Sequence, residues 1–235
     1  MFSESAELYD LIYSQFKDYG AEAERVAALI RHLHPTARTV LDVGCGTGEH
    51  ARILSERHGF RVDGIDLDPV MVRVAQAKVP SGEFRVADMT DFTLGATYDA
   101  VVCLFSSIGY VRTLANVRRT LAGFRRHLAP GGVIVVEPWF APDAMHPGRV
   151  DVTTVEAEGL KVCRMAHVQV EGRLSRVRFE YLIGRAEGIE RASELHELGL
   201  FTPVEMQESF REAGLAADYD ADGFSGRGVY VTRPL

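Results

Sequence analysis

An α/β fold is predicted by the 235-residue sequence: a doubly wound, mostly parallel seven-stranded sheet with an inserted antiparallel β meander. Three observations predict it. Short apolar runs alternate with segments of helical periodicity from residue 19 to residue 137, the order expected of parallel strands joined by right-handed crossovers. Val101-Val102 and Val133-Ile134-Val135-Val136 are nearly unbroken apolar runs, as strands covered on both faces require. After Pro147 the texture changes to longer runs separated by Glu158-Gly159 and Glu171-Gly172, the punctuation of a meander.

Across residues 19–34, Ala23, Val26, Ala27, Ile30 and Leu33 fall on one helical face until Pro35 ends the pattern. A strand at 39–43, a glycine-rich turn and a helix at 49–57 closed by Gly59 follow. The alternation continues through strand 61–65, helix 69–78, strand 83–87, strand 100–105, helix 114–127, the Pro130-Gly131-Gly132 turn and strand 133–137. The meander reads as strands 150–155, 160–170 and 174–183 within an insertion of about 148–200. A helix at 202–213 stops at Gly214, and strands 216–219 and 228–232 complete the sheet. Residues 1–235 are expected to form one domain, with residues 1–20 as a lid.

A formal charge of -7 argues against a nucleic-acid partner, which would be met by a concentrated basic surface. Cys45, Cys103 and Cys163 are odd in number and show neither disulfide nor metal-site spacing, so a reducing cytoplasm and no bound metal are expected. The first residues lack the basic and apolar regions of a signal peptide, and no run is long enough to span a membrane. Assembly as a homodimer is left open.

The strongest local signal is Leu41-Asp42-Val43-Gly44-Cys45-Gly46-Thr47-Gly48, at a strand end and opening a helix. Glycines there let the backbone turn tightly and approach a ligand where a Cβ would collide. The spacing is GxGxG rather than the GxGxxG of dinucleotide sites. Asp66 ends the next strand, where a carboxylate can accept from both hydroxyls of a ribose. Asp88 ends the third, beside Met89, an acceptor and a soft apolar surface suited to an adenine. Singly, the glycines also read as a structural turn and the two acids as helix caps. Convergence of three strand ends favours one nucleoside-shaped site.

These residues resemble the nucleoside-binding motifs of class I S-adenosylmethionine-dependent methyltransferases, over about residues 39–137. The resemblance implies a Rossmann-like fold and S-adenosyl-L-methionine as cofactor. Gly44 and Gly46 would lie at its methionine part, Asp66 at the ribose, and Asp88 at the adenine with Met89 against the ring.

A narrower resemblance runs through Ala6-Glu7-Leu8-Tyr9-Asp10-Leu11, Lys17-Asp18-Tyr19, Asp91-Phe92, Phe105-Ser106-Ser107-Ile108-Gly109-Tyr110, Glu137-Pro138-Trp139 and Ser225-Gly226-Arg227-Gly228. These segments are similar to those of the dTDP-aminosugar N,N-dimethyltransferases of the desosamine and mycaminose type. The similarity implies N,N-dimethylation of a dTDP-linked deoxy aminosugar in antibiotic biosynthesis. The chain departs from that family's tendency at Gly44 for alanine, Asp66 for glutamate and Phe140 for a second tryptophan.

Tyr9, Tyr13, Phe16 and Tyr19 precede the sheet and are suited to a lid that excludes water. Tyr19 is expected near the methionine carboxylate, whereas the hydroxyls of Tyr13 and Tyr110 are the candidate catalytic groups, orienting the sugar or its amine. Each also reads as an ordinary half-buried tyrosine. Tyr9, Glu137 and Trp139 are candidate substrate contacts, though Trp139 can equally pack on the meander. Ser225 and Arg227 sit in a glycine-flanked turn matched to a diphosphate, or Arg227 is simply solvated. His50, His167 and His196 read as a helix surface and two strand faces. Neither a committed base nor a metal stands out to activate a hydroxyl, which disfavours O-methylation. A small-molecule N-methyltransferase with a different acceptor, a noncatalytic nucleoside-binding protein and a dehydrogenase are the remaining alternatives.

Overall fold

The computed structural model describes residues 6–232, so residues 1–5 of the expected lid lie outside it. In chain order the elements begin α1 (Ala6–Tyr13), α2 (Tyr19–Leu33), β1 (Thr39–Val43), α3 (Glu49–His58), β2 (Arg61–Asp66), α4 (Pro69–Lys78), β3 (Phe84–Val86) and β4 (Tyr98–Cys103). A 3-10 helix (Ser107–Val111), α5 (Leu114–Arg126) and β5 (Leu128–Val136) follow. The chain ends with β6 (Val150–Ala157), β7 (Leu160–Glu171), β8 (Leu174–Arg185), β9 (Gly188–Gly199), α6 (Pro203–Glu212), β10 (Ala217–Asp220) and β11 (Val229–Thr232).

Helix starts follow their capping chemistry. Asp18 accepts from Ala21 N, Asp68 accepts from Val70 N ahead of Pro69, and Thr202 and Glu205 form a reciprocal capping box ahead of Pro203.

The sheet has the seven strands expected, in the order β10-β11-β5-β4-β1-β2-β3, with β11 antiparallel to both neighbours. Alternate residues of each central strand feed opposite cores. Val40 packs with Val26, Ile30 and Leu54 beneath α2 and α3. Its neighbour Leu41 packs with Leu121, Phe124 and Phe210 beneath α5 and α6. That is why these strands read as unbroken apolar runs. Strand order reverses between β1 and β4, so a crevice opens at their carboxyl ends.

The meander has four strands rather than three. The unforeseen strand, β9, turns Glu194, His196 and Leu198 inward and therefore lacks an apolar alternation. Also unforeseen as a helix, α1 packs Leu8 and Ile12 against Val155, Val162, Tyr181 and Ile183 of the meander. Burying two such side chains contributes roughly 1.5–3 kcal/mol each. The meander rests on the Ser107–Val111 turn, where a Cβ on Gly109 would stand 3.0 Å from Trp139 Cβ and 3.1 Å from Leu198 Cδ2. No helix among the described residues is long and apolar enough to cross a membrane.

One polar latch joins α1 to the sheet domain: Thr47 Oγ1 donates to Asp10 Oδ1 at 2.6 Å, and Lys78 Nζ donates to Asp10 Oδ2. Because the pair with Lys78 is partly exposed, Asp10→Ala should lower global stability by only about 1 kcal/mol. The same change should raise hydrogen exchange of the α1 amides at least about fivefold, since it releases the end of α1 nearest the glycine loop. Unaltered exchange would mean that the packing of Leu8 and Ile12 alone holds α1.

Candidate active site

A cavity of about 920 Å³ occupies the crevice beneath α1 and the meander. Its floor is the glycine loop after β1. Gly44 and Cys45 donate backbone hydrogen bonds to Ile65 O at 2.8 and 3.0 Å, which ties the loop to β2. Gly44 (φ +74) and Gly46 (φ +54) both hold left-handed backbone. A Cβ on Gly44 would lie 2.6 Å from Ser107 Cβ, whereas one on Gly46 would meet nothing within 4 Å and would project into open space. That open space leaves the backbone accessible to a ligand.

Asp66, at the end of β2, accepts from Gly46 N at 2.9 Å and from Asp68 N at 2.9 Å. The cap of α4 is Asp68, so the capping alternative for Asp66 is removed. Burial raises the Asp66 pKa, opposed by these amide bonds. Asp88 Oδ1 accepts from both Thr90 N and Thr90 Oγ1 at 2.8 Å, closing a turn beneath Met89 with one carboxylate oxygen. Tyr19, Gly44, Gly46, Asp66, Asp88 and Met89 all line this one cavity.

His50, expected on a helix surface, is buried and lines the same cavity. The correction has a simple cause: α3 turns this face toward α2, where Glu22 Oε2 accepts from His50 Nε2 at 2.9 Å and from Lys17 Nζ. Lys17 is itself buried, with its ammonium 4.0 Å from the Phe105 ring centroid. Burial lowers its pKa, opposed by Glu22. The His50 ring stands edge-on to Tyr19 at 4.9 Å, fixing the tyrosine wall.

The opposite side of the cavity is aromatic. The Tyr9 and Tyr13 rings lie 4.4 Å apart at a tilt of 41°, and Tyr13 meets Phe105 edge-on at 5.2 Å. Tyr110 donates to His196 Nδ1 at 2.9 Å. Arg164, from β7, lies over the rings of Tyr13 and Phe179 at 5.0 and 4.7 Å. It is 7% exposed, and its Nε and Nη1 have no hydrogen-bond partner. Trp139 packs on the meander and lines the cavity, so its two readings coexist, and its Nε1 is likewise unpartnered.

Tyr9, Tyr13, Tyr110, Trp139, Ser225 and Arg227 also line the cavity. Glu137 does not, which corrects its reading as a substrate contact. It is fully buried behind the wall, where Phe105 N donates to Oε2 at 2.7 Å and Ser225 Oγ donates to Oε1 at 2.5 Å. Arg227 is no solvated turn residue. Its Nε lies 3.8 Å from Glu137 Oε1, and Nε and Nη1 donate to Ser225 and Ser106 at 2.9 Å each.

Sequence reading missed Arg164, Glu194 and His196 as site residues; their only signal is polar side chains at inward positions of the meander. Among the described residues no group of three or more His, Cys, Asp or Glu is arranged to hold a metal ion.

Residues 40–132 match the model of a methyltransferase domain. The chain is 41% identical over 233 residues to the dTDP-3-amino-3,6-dideoxy-alpha-D-glucopyranose N,N-dimethyltransferase of Streptomyces fradiae, covering 98% of this chain and 91% of that protein. It superposes on the crystal structure of Streptomyces venezuelae DesVI with a TM-score of 0.92, at 38% identity and 98% coverage of each chain. A third relative is CalS10 of Micromonospora echinaspora, an amino pentose methyltransferase of calicheamicin biosynthesis. Its structure with S-adenosylmethionine bound gives a TM-score of 0.87 at 38% identity, covering 96% of each chain.

Asp42, buried under the glycine loop, has its pKa pushed up to about 7, first by burial and then by the charge of Asp66. An unfolded aspartate titrates near about 3.9. The native state therefore holds the proton more tightly, and this group withdraws stability as pH rises from about 4 to about 7, with the full loss above that range. Asp42→Asn should accordingly be more stable than the native protein at pH 8 by roughly 1–4 kcal/mol, with the gap narrowing toward pH 5. Thermal melts of both proteins at the two pH values check this. An equal difference at both would show that the Asp42 proton is not linked to folding.

Proposed function

This chain belongs to the dTDP-aminosugar N,N-dimethyltransferases and is an S-adenosylmethionine-dependent N-methyltransferase, and from that premise we propose that its acceptor is the amine of a dTDP-linked deoxy aminosugar, methylated twice, in antibiotic sugar biosynthesis. One observation within the molecule carries the acceptor class. The buried guanidinium of Arg164 leaves two nitrogens unpaired at the cavity wall, and Trp139 adds a third unpaired donor. Each buried donor left unpaired costs about 1–3 kcal/mol, a cost that a bound diphosphate removes. The planar fork matches phosphate oxygens two at a time. Arg227 supplies charge from the neighbouring wall but keeps Nε and Nη1 on Ser225 and Ser106. The cavity volume lies toward the upper end of the roughly 300–1,000 Å³ typical of ligand sites, room for a cofactor and a sugar nucleotide together.

The glycine loop and strand ends fit S-adenosylmethionine. Gly46 leaves open the space that a side chain would occupy, and Asp66 and Asp88 present carboxylates for the ribose and adenine, with Met89 against the ring. The bound cofactor supplies an electrophilic methyl group on a sulfonium. The protein's own residues then orient the amine and keep water out, which is where most of the rate arises when little covalent chemistry is asked of the enzyme. Tyr9, Tyr13 and Tyr19 form the apolar cover over the reacting groups, and the hydroxyls of Tyr13 and Tyr110 orient the amine.

Incubation with S-adenosylmethionine and dTDP-linked 3-amino or 4-amino deoxy sugars, read by mass, should show two methyl groups added to one of them. Retained S-adenosylhomocysteine binding with no product from any aminosugar nucleotide would overturn the acceptor assignment. Asp66→Ala should weaken S-adenosylhomocysteine binding at least about tenfold, the loss of one or two charge-assisted hydrogen bonds. Arg164→Lys should raise KM for the sugar nucleotide roughly 10- to 100-fold, because an ammonium keeps the charge but cannot reproduce the two-pronged contact with phosphate. Equal KM values in the two proteins would remove Arg164 from the diphosphate site.

A further inference from the structure

An amine at neutral pH is mostly an ammonium, and an ammonium has no lone pair with which to attack. Before each methyl transfer one proton must leave the nitrogen, within a cavity built to exclude water. The sequence identifies no base. The structure brings one together from two separate elements.

Tyr110 stands on the 3-10 turn after β4, lines the cavity and is 38% exposed. Its hydroxyl lies 2.9 Å from His196 Nδ1. His196, on β9, is 2% exposed, and its Nε2 lies 3.4 Å from Glu194 Oε2. Glu194 is also buried, and the same oxygen accepts from Tyr181 OH at 3.0 Å. These contacts fix the tautomer. A carboxylate only accepts, so the neutral imidazole carries its proton on Nε2 toward Glu194 and leaves Nδ1 bare to accept from the phenol. The phenol oxygen keeps lone pairs for a donor in the cavity.

Resting on the aminosugar reading above, we propose that Tyr110, His196 and Glu194 form a proton relay that deprotonates the acceptor ammonium. Tyr110 is the catalytic member, in contact with the amine, while His196 receives the proton and Glu194 positions and charge-balances it. In this step an N–H bond of the ammonium breaks and its proton passes to the Tyr110 oxygen. The phenol's original proton passes to Nδ1, giving a neutral amine, an intact phenol and an imidazolium held against Glu194. The amine lone pair then forms the N–C bond as the methyl leaves sulfur. The imidazolium returns its proton by the same route to solvent when the cofactor exchanges between rounds, and the second round repeats the sequence on the monomethyl ammonium.

Other charged and titratable groups bear on the relay from each packed element. Tyr9 and Tyr13 approach from α1, Tyr181 from β8, Arg164 from β7 and Asp66 from β2. Burial raises the Tyr110 pKa, with Tyr13, Glu194 and Asp66 adding to it, so the phenol passes a proton without ionising. Phe179 packs edge-on to His196 at 5.1 Å and closes the apolar side.

The test is methyl transfer to the aminosugar nucleotide under saturating S-adenosylmethionine from pH 6 to pH 10, for the native enzyme, Tyr110→Phe, His196→Gln, Glu194→Gln and the Tyr110→Phe/His196→Gln pair. Tyr110→Phe and His196→Gln should each lose roughly 10²-fold at pH 7 and recover to within a few-fold of the native rate near pH 10, where solvent supplies the free amine. Glu194→Gln should lose roughly tenfold with the same recovery, and the double variant should be no slower than either single one, because all serve one route. Circular dichroism and S-adenosylhomocysteine affinity monitor the fold, with the near-isosteric Tyr110→Phe as the safeguard if the buried variants fold poorly. A loss of constant proportion at every pH, or no loss at pH 7, would overturn the relay. A native enzyme that methylates no aminosugar nucleotide at any pH would instead overturn the acceptor reading, and the relay with it.

Discussion

The buried carboxylate of Glu137 is the constraint on which the site depends. A charge with no solvent exposure persists only if its lone pairs and its charge are met, and Glu137 is met by Phe105 N, Ser225 Oγ and the Arg227 guanidinium. Three remote stretches of chain therefore have to converge: the exit of β4, the exit of β5 and the turn before β11. Convergence forces Phe105 and Ser106 into left-handed backbone at φ +49 and +66, strain of order 1–3 kcal/mol each. That bend directs the following residues across the crevice. Ser107 Oγ reaches Gly44 O at 3.2 Å, and Tyr110 faces the cavity. The same buried charge thus links the glycine loop to the wall that faces it.

The half of the molecule that carries the glycine loop was legible because its information is local. A strand ends, glycines turn the chain, a helix starts, and an acid closes the next strand, all within the 47 residues from Asp42 to Asp88. The alternation alone gave a mostly parallel seven-stranded sheet, and errors in its elements were confined to boundaries. β4 begins at Tyr98 and releases Phe105, and β5 begins at Leu128 because the Pro130-Gly131-Gly132 turn is a bulge inside the strand. His50 was misread for a different reason: a histidine in a polar helical stretch looks solvated until its partner, Glu22, is brought to it across 28 positions.

The half built on the meander was less legible because polar and apolar residues are mixed on both of its faces. Its inward face buries Arg164, Glu194 and His196 among apolar residues such as Val162, Val168 and Ile183, while Met165 and Leu182 point out at 47% and 45% exposure. Apolar residues thus stand on both faces, and β9, whose inward residues include Glu194 and His196, offers no apolar alternation to read. The polar inward residues are tolerable because they meet one another, as Tyr181, Glu194, His196 and Tyr110 do, or, in the function proposed above, because a ligand completes them, as at Arg164. Both arrangements are long-range, joining elements up to 86 positions apart, and no local pattern encodes them.

Transfer of a methyl cation from sulfur to nitrogen moves a positive charge but does not create one, so a site for it needs an environment tolerant of a cation along the whole path. Aromatic faces provide this without fixing the charge at either end, and Tyr9, Tyr13, Tyr19 and Tyr110 supply them. A carboxylate in contact with the amine would hold the ammonium and oppose the loss of its proton. The nearest carboxylate along the relay is instead set back behind His196 and shared with Tyr181. Its distance lets it stabilise a proton that has left the nitrogen more than one that remains there. The insertion of the meander, which appears at first as an appendage to a complete α/β sheet, is what makes that arrangement available: β9 carries both His196 and Glu194, and its packing on the Ser107–Val111 turn brings them to Tyr110.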